Sequence, residues 1–323
     1  MKNVLVICDG MADEPLKSLG GKTPMEAAFT PAMDRLASMG RCGLVNTVPP
    51  GHYPGSETAI LTILGYLPNE LPSGRGPLEA IGLGIGVSLE DTIMRYILKE
   101  EESRLDEIAP LYPHISFHPL SSRTGICIST CKEALPVDTA LISFWSADTP
   151  KTYEAFGKRH AIDGSHPART VMIGHVPLIK GMAKALDMEW IEPVNATGRC
   201  DTDFRAKGKA LLSAIENHDV SILHIEACDT ASHECDPISK TSAIENIDKH
   251  IVMPLLDKLQ QSSEPFSIAV MSDHPSLCES GCHSSSAPPF LLYYPGIEAD
   301  SVTHFDEKSV AGGSLSVPDE IYV

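Results

Sequence analysis

The sequence predicts an α/β fold carrying a smaller inserted α/β domain. Three observations do so: short apolar runs that end on polar residues, amphipathic segments between those runs, and a middle stretch, residues 87–168, that continues neither pattern. The outer stretches, 1–86 and 169–323, then make up the core domain. With 323 residues and 42% hydrophobic content, the chain can bury a core of that size.

Leu5, Val6 and Ile7 lie between Asn3 and Asp9-Gly10, an unbroken apolar run of the kind a buried central strand shows, with Asp9 at its carboxyl end. Thr30-Pro31 followed by Met33, Leu36, Met39 and Gly40 reads as an N-cap, a first-turn proline, an apolar stripe and a stop, hence a short helix. Gly43 to Val48 reads as a second strand. Pro49-Pro50-Gly51 breaks it into a loop that delivers Pro54-Gly55-Ser56, after which Ile60, Ile63 and Leu64 mark one side of a helix. The middle stretch holds the charged run Lys99-Glu100-Glu101-Glu102 and no strand that extends the first half. Beyond it, Ser221 to Ile225 leads into the polar segment Glu226 to Asp236. A long helix follows, with Ile244, Ile247, Ile251, Leu255 and Leu259 on its buried face. Phe266 to Met271 is a strand ending in Ser272-Asp273-His274, and Phe290 to Tyr294 another ending at Pro295-Gly296. Polar residues at successive strand ends place the active site along the carboxyl edge of the sheet.

Charge narrows the partners. With 25 Lys+Arg against 43 Asp+Glu, a net charge of -18, the surface attracts neither nucleic acid nor an anionic membrane. The apolar run at Val4 to Cys8 is too short for a signal peptide or a span, and no other segment reaches spanning length. Nine cysteines scattered over the chain suit a reducing cytoplasm. Cys278 and Cys282 beside His283 suggest a zinc cluster, but a second half-site is lacking.

The strand-end residues are Asp9, Ser56, Asp229, His233, Asp273, His274 and His283. Singly, each is an ordinary loop residue. Together they form a mixed oxygen and nitrogen donor set on three segments, suited to Zn²⁺ or Mn²⁺ and too large for one tetrahedral ion. Two ions about 3.5–4 Å apart would use it fully. Ser56 then reads as a nucleophile activated by metal and facing the amides of its own helix, although an N-cap role suits the same position.

The ordered motifs carry a resemblance. Asp9-Gly10-Met11-Ala12-Asp13, Gly21 to Ala28, Thr30 to Asp34, Pro54 to Ala59 and Gly74 to Ala80 are similar to those of archaeal-type cofactor-independent phosphoglycerate mutases, members of the alkaline phosphatase superfamily. Leu178-Ile179-Lys180-Gly181, Ala196-Thr197-Gly198 with Asp201-Thr202, His224 to Ala227 with Asp229 and His233, and Ser272-Asp273-His274 with His283 continue it. The resemblance implies a three-layer α/β/α core and a small phosphorylated substrate. It implies two divalent ions (Mn²⁺, Zn²⁺, Co²⁺ or Mg²⁺) without 2,3-bisphosphoglycerate, one held by Asp229, His233 and His283, the other by Asp9, Asp273, His274 and Ser56. Ser56 would carry a phosphoserine while glycerate re-orients. Substrate anions favour arginine, and Arg75, Arg95, Arg123, Lys180 and Arg199 lie in or beside matching segments. Arg75 and Lys180 sit within motifs; Arg123 and Arg199 are expected to join them in binding substrate.

Two features depart from the family. The insert is shorter than its usual lid, with its arginine motifs hard to find around Arg123-Thr124-Gly125, and Gly313-Ser314-Leu315 is followed by only Ser316 to Val323 where a final helix is expected. Three other readings therefore stand beside the mutase: transfer to another hydroxyl such as that of homoserine, transfer to water as a phosphatase or phosphodiesterase, and a metal-stabilised scaffold without catalysis.

Overall fold

Apolar runs without alternation need cover on both faces, and the centre of the main sheet is built from them. The computed structural model describes residues 2–99, 105–120, 123–130, 135–161, 166–262 and 264–316. In chain order the strands are β1 (Lys2–Cys8), β2 (Arg41–Leu44), β3 (Thr92–Leu98), β4 (Ile115–Pro119), β5 (Thr124–Ser129), β6 (Ile142–Asp148), β7 (Thr170–Ile173), β8 (Glu189–Ile191), β9 (Val220–Ile225), β10 (Phe266–Met271), β11 (Ser276–Leu277), β12 (Cys282–His283), β13 (Pro289–Tyr293) and β14 (Leu315–Ser316). The main sheet runs β14-β2-β13-β10-β1-β9-β7-β8. β10, β1, β9, β7 and β8 are parallel, while β13 runs against both β10 and β2.

Helices cover both faces, so the core has three layers. Pro31–Met39, Phe204–Asn217 and the run from Pro237 to Gln261 pack on one face around Val4, Val6, Leu36, Leu211, Ile247 and Leu255. Ser56–Ile63, Gly76–Leu83 and Pro177–Ala185 pack on the other around Ile7, Ile60, Leu78, Met182 and Ile222. The helices Gly76–Leu83 and Pro177–Ala185 cross at glycines: a Cβ on Gly181 would overlap the carbonyl oxygen of Leu78, and one on Gly82 that of Pro177. Gly181→Ala is therefore expected to destabilise the protein by about 1–3 kcal/mol, seen as a lowered denaturant midpoint at unchanged slope.

Several local expectations shift. The long helix is interrupted by a π turn, Asp248–Val252, and this turn has a use. Thr30 makes no side-chain cap; the carboxylate of Asp248 instead accepts from the amides of Ala32 (3.2 Å) and Met33 (2.7 Å), which leaves the threonine hydroxyl without that task. The second strand begins at Arg41 and ends at Leu44, earlier than the Gly43 to Val48 expectation. Of the charged run, Glu100 to Glu102 lie outside the described residues.

β3 to β6 form a separate antiparallel sheet, order β4-β5-β3-β6, over its own apolar cluster of Met94, Tyr96, Leu98, Ile108, Cys127 and Ile142. It is tied to the core by Ile93, Ile126 and Ile128 packing with Ala80, by the Arg95–Glu79 pair and by hydrogen bonds at β6. Asp148 accepts from the amides of Ser73 (2.8 Å) and Gly74 (3.3 Å), and the Ser146 hydroxyl accepts from the amide of Arg75 (3.1 Å). Ser146 adopts φ 58°, a left-handed conformation next to an irregularity in the β3–β6 pairing, and a Cβ on Gly74 would run into it.

Candidate metal centre

Parallel register aligns the ends of the three central strands: Ile7 lies beside Met271 and Cys8 beside Ile225, so the residues that follow meet at one edge. Asp9 leaves β1, Glu226 and Asp229 follow β9, and Asp273 and His274 follow β10. Gly10 permits the approach. It has φ +63°, and a Cβ there would come within 2.6 Å of the Ser276 hydroxyl and 2.8 Å of the Asp229 Cα. Asp9, Asp273 and His274 are all buried.

Ser56 is the first residue of its helix; Gly55 takes the N-cap position and makes no side-chain cap. The serine is 3% exposed, with its Oγ 3.2 Å from Asp9 Oδ2 and 3.3 Å from His274 Nε2. His274 Nε2 also lies 3.5 Å from Asp9 Oδ1 and 3.4 Å from Asp273 Oδ2. Beside this group stands a second: Asp229 Oδ2 is 3.2 Å from His233 Nε2, and Asp229 Oδ1 is 3.1 Å from His283 Nε2. All seven expected residues thus converge on one place.

The donor chemistry fits metal. His233 Nδ1 lies 2.7 Å from the carbonyl of Gly281 and His283 Nδ1 2.6 Å from that of Pro54. A carbonyl only accepts, so each ring spends its N–H there and turns an Nε2 lone pair to Asp229; the two Nε2 atoms are 3.1 Å apart. Two lone pairs and a carboxylate facing one another call for a cation. The other group makes the same demand, since Asp9 Oδ1 and Asp273 Oδ2 are buried without hydrogen-bond partners. Burial, reinforced by Asp273 and Asp229, pushes the Asp9 carboxyl well above its usual range, the mark of crowded carboxylates that a divalent ion relieves.

His224 was not anticipated. It sits inside an apolar strand, buried, with Nε2 3.1 Å from Asp9 Oδ2, and burial lowers its pKa to about 4. Its ligand atom lies within 4.8 Å of those of Asp9 and Asp273, so it could serve as a further ligand or orient Asp9. Cys278 and Cys282 take no part: the Cys278 thiol lies against Ser232 and that of Cys282 against the Ser280 carbonyl.

A cleft of about 290 Å³ opens beside Asp9, lined by Arg75, Arg95, Glu79, His224, Glu226 and the segment Val176–Ile179. Arg75 is 3.5 Å from Glu57 and 3.7 Å from Glu79, and Arg95 is 2.9 Å from Glu79. Burial opposes the charge on Arg75, but Glu57 and Glu79 outweigh it and keep the guanidinium charged.

The profile of the metalloenzyme superfamily matches residues 1–319. The chain is 32% identical, over 98% of its length and 94% of the relative, to 2,3-bisphosphoglycerate-independent phosphoglycerate mutase 2 of Methanothermobacter thermautotrophicus. The chain belongs to this mutase family, within the metalloenzyme superfamily. It is 31% identical to the Methanosarcina mazei mutase over 98% and 97% of the two chains. A solved Pyrococcus horikoshii protein matches with TM-score 0.78 and 30% identity over 97% and 91%. The cofactor-independent phosphoglycerate mutase of Thermoplasma acidophilum shares the fold, with TM-score 0.66 at 21% identity over 98% and 96%.

Against the first mutase the match spans 386 positions, while this chain has 323 residues, so more than 60 of those positions have no counterpart here. Arg75 lines the cleft, but Arg123 does not; its guanidinium donates to the carbonyls of Leu98 and Lys99 at the far end of β3. Lys180 lies 3.8 Å from Glu192, and Arg199 is 62% exposed and paired with Glu234. Neither lines the cleft. Arg95, which alternation along β3 puts on the cleft side, stands in the place expected of Arg123. Among the described residues, no helix is long and apolar enough to cross a membrane.

Proposed function

We propose that this chain interconverts 3-phosphoglycerate and 2-phosphoglycerate through a phosphoserine at Ser56. The observation that carries this reading is the position of the Ser56 hydroxyl, shared between Asp9 and His274 and beside two converging carboxylate–imidazole groups. Asp229, His233 and His283 would hold one divalent ion, and Asp9, Asp273 and His274 with Ser56 the other, drawn from Mn²⁺, Zn²⁺, Co²⁺ or Mg²⁺. When bound, such ions polarise the phosphate and stabilise the attacking and leaving oxygens.

The chain's own residues do the rest. Ser56 Oγ attacks phosphorus as its proton moves toward Asp9 Oδ2, the bond from phosphorus to the glycerate oxygen breaks, and that oxygen takes up a proton. Arg75 and Arg95 hold the substrate's anionic ends while glycerate re-orients in the cleft. The second hydroxyl then attacks the phosphoserine and returns the group. Residues 87–168 act as the insert that closes over glycerate and keeps water from the phosphoserine.

The test supplies Mn²⁺ and 3-phosphoglycerate and reads 2-phosphoglycerate through enolase, beside ATP with homoserine and a generic phosphate ester. Activity only with homoserine or only on the ester would sink the mutase assignment while leaving the metal chemistry in place. Dialysis against a chelator is expected to abolish turnover, with return on adding Mn²⁺. In the same preparation His233→Ala should fall from two bound ions per chain to one by elemental analysis; retention of both would remove His233 from the ligand set.

A further inference from the structure

We propose that Glu226 receives the free hydroxyl of the bound acceptor and so makes the site selective for an acid bearing two adjacent hydroxyls. The inference rests on the mutase reading and deepens it. Three carboxylates line the cleft. Asp9 is engaged by Ser56 and His224, and Glu79 carries Arg95 and Arg75. Glu226 is different. Asp9 Oδ1 and Glu79 Oε2 are also buried without hydrogen-bond partners, but each of those carboxylates is held through its other oxygen; among the described residues no hydrogen bond or ion pair reaches the carboxylate of Glu226, whose Oε2 is likewise shielded from solvent.

Its position is fixed from behind. Glu226 directly follows β9, where Ile225 pairs with Cys8, so it stands opposite Asp9. The backbone of Gly198 closes one side, close enough that a Cβ there would be 3.3 Å from Glu226 Oε2. Burial, reinforced by Asp229, pushes the Glu226 carboxyl up to about 7 against the opposing pull of Arg75 and Lys207. The residue itself lines the cleft beside Asp9.

A shielded carboxylate oxygen accepts hydrogen bonds and donates none, so it stays unmet until a donor arrives. A phosphoglycerate offers few donors. Its phosphate and carboxylate are anions that Glu226 repels and that Arg75 and Arg95 attract. The hydroxyl without phosphate is the substrate's remaining donor, and Glu226 is the cleft carboxylate that, among the described residues, no cation or hydroxyl already holds.

The test uses the Mn²⁺-loaded enzyme and measures by calorimetry the binding of D-glycerate, 3-hydroxypropionate, which lacks the second hydroxyl, and L-serine, which carries an ammonium in its place. The wild type is expected to bind glycerate roughly ten- to a hundredfold tighter than 3-hydroxypropionate. Glu226→Ala should bring that ratio near unity with 3-hydroxypropionate affinity and metal content unchanged. Glu226→Gln, whose carbonyl still accepts, should restore part of it. A ratio unaltered in Glu226→Ala overturns the proposal, as does a wild type that binds glycerate and 3-hydroxypropionate alike. Serine bound tighter than glycerate, with that preference lost in Glu226→Ala, assigns the carboxylate to an amino group and overturns it too. The enolase assay on the same wild-type sample separates the two ideas: conversion of 3-phosphoglycerate without hydroxyl discrimination removes Glu226 alone, whereas no conversion removes the mutase reading.

Discussion

Ser56→Ala is expected to lower turnover by at least about 10⁴-fold while two divalent ions per chain remain bound. The hydroxyl is the group the proposed phosphoserine requires, and no other serine or threonine hydroxyl among the described residues meets both Asp9 and His274. The same change should hardly touch stability, because Gly55 holds the N-cap and the Ser56 side chain caps nothing. Elemental analysis and thermal unfolding, run beside the enolase-coupled assay, distinguish the outcomes. Wild-type turnover would disprove the nucleophile. Loss of both ions would mean that Ser56 holds the site together rather than reacting in it.

The second large effect is on folding. Lys240 is fully buried, with its ammonium 2.9 Å from Asp13, 3.1 Å from the carbonyl of Ala12 and 2.7 Å from that of Ser276. Those partners come from the loop after β1 and from β11, so one cation joins two segments of the metal centre. Ser276 goes on to donate to Asp229 Oδ1 at 2.6 Å. Lys240→Met leaves the Asp13 charge buried and unpaired, and should cost about 3–5 kcal/mol. The thermal midpoint should then fall by on the order of 10 °C. Adding Asp13→Asn should recover part of the loss, since an amide oxygen at the Oδ1 position can still accept from the amides of Glu14 (2.8 Å) and Cys278 (3.4 Å). A single variant as stable as wild type would show that the pair contributes nothing net.

The strands that frame the centre were legible because they are central and parallel: buried on both faces, β1, β9 and β10 read as largely apolar runs, and the residue after each run lands at the edge. Their polar endings gave Asp9, Asp229, His233, Asp273 and His274, while Ser56 follows the loop after β2 and His283 comes from β12. Thr30 misled because the helix it precedes is capped by Asp248, more than 200 positions away, which local spacing cannot register. His224 was hidden by the very run that revealed its strand. Arg95 lies on β3, paired to Ile126 of β5, and Arg123 immediately precedes β5 and is bonded to Leu98. Which of them reaches the cleft depends on the register between β3 and β5, and residue order does not specify that register.

The anchorage of Arg75 to β6 has a consequence for how such a molecule can change over generations. Ser56 and its surrounding carboxylates and imidazoles hang from the central sheet, whereas the loop bearing Arg75 is held from outside by Ser146 and Asp148. A lengthening, trimming or re-pairing of the small sheet would slide the guanidinium and its neighbour Arg95 against a stationary nucleophile. Lineages can thus retune what is accepted without disturbing how phosphorus is handled.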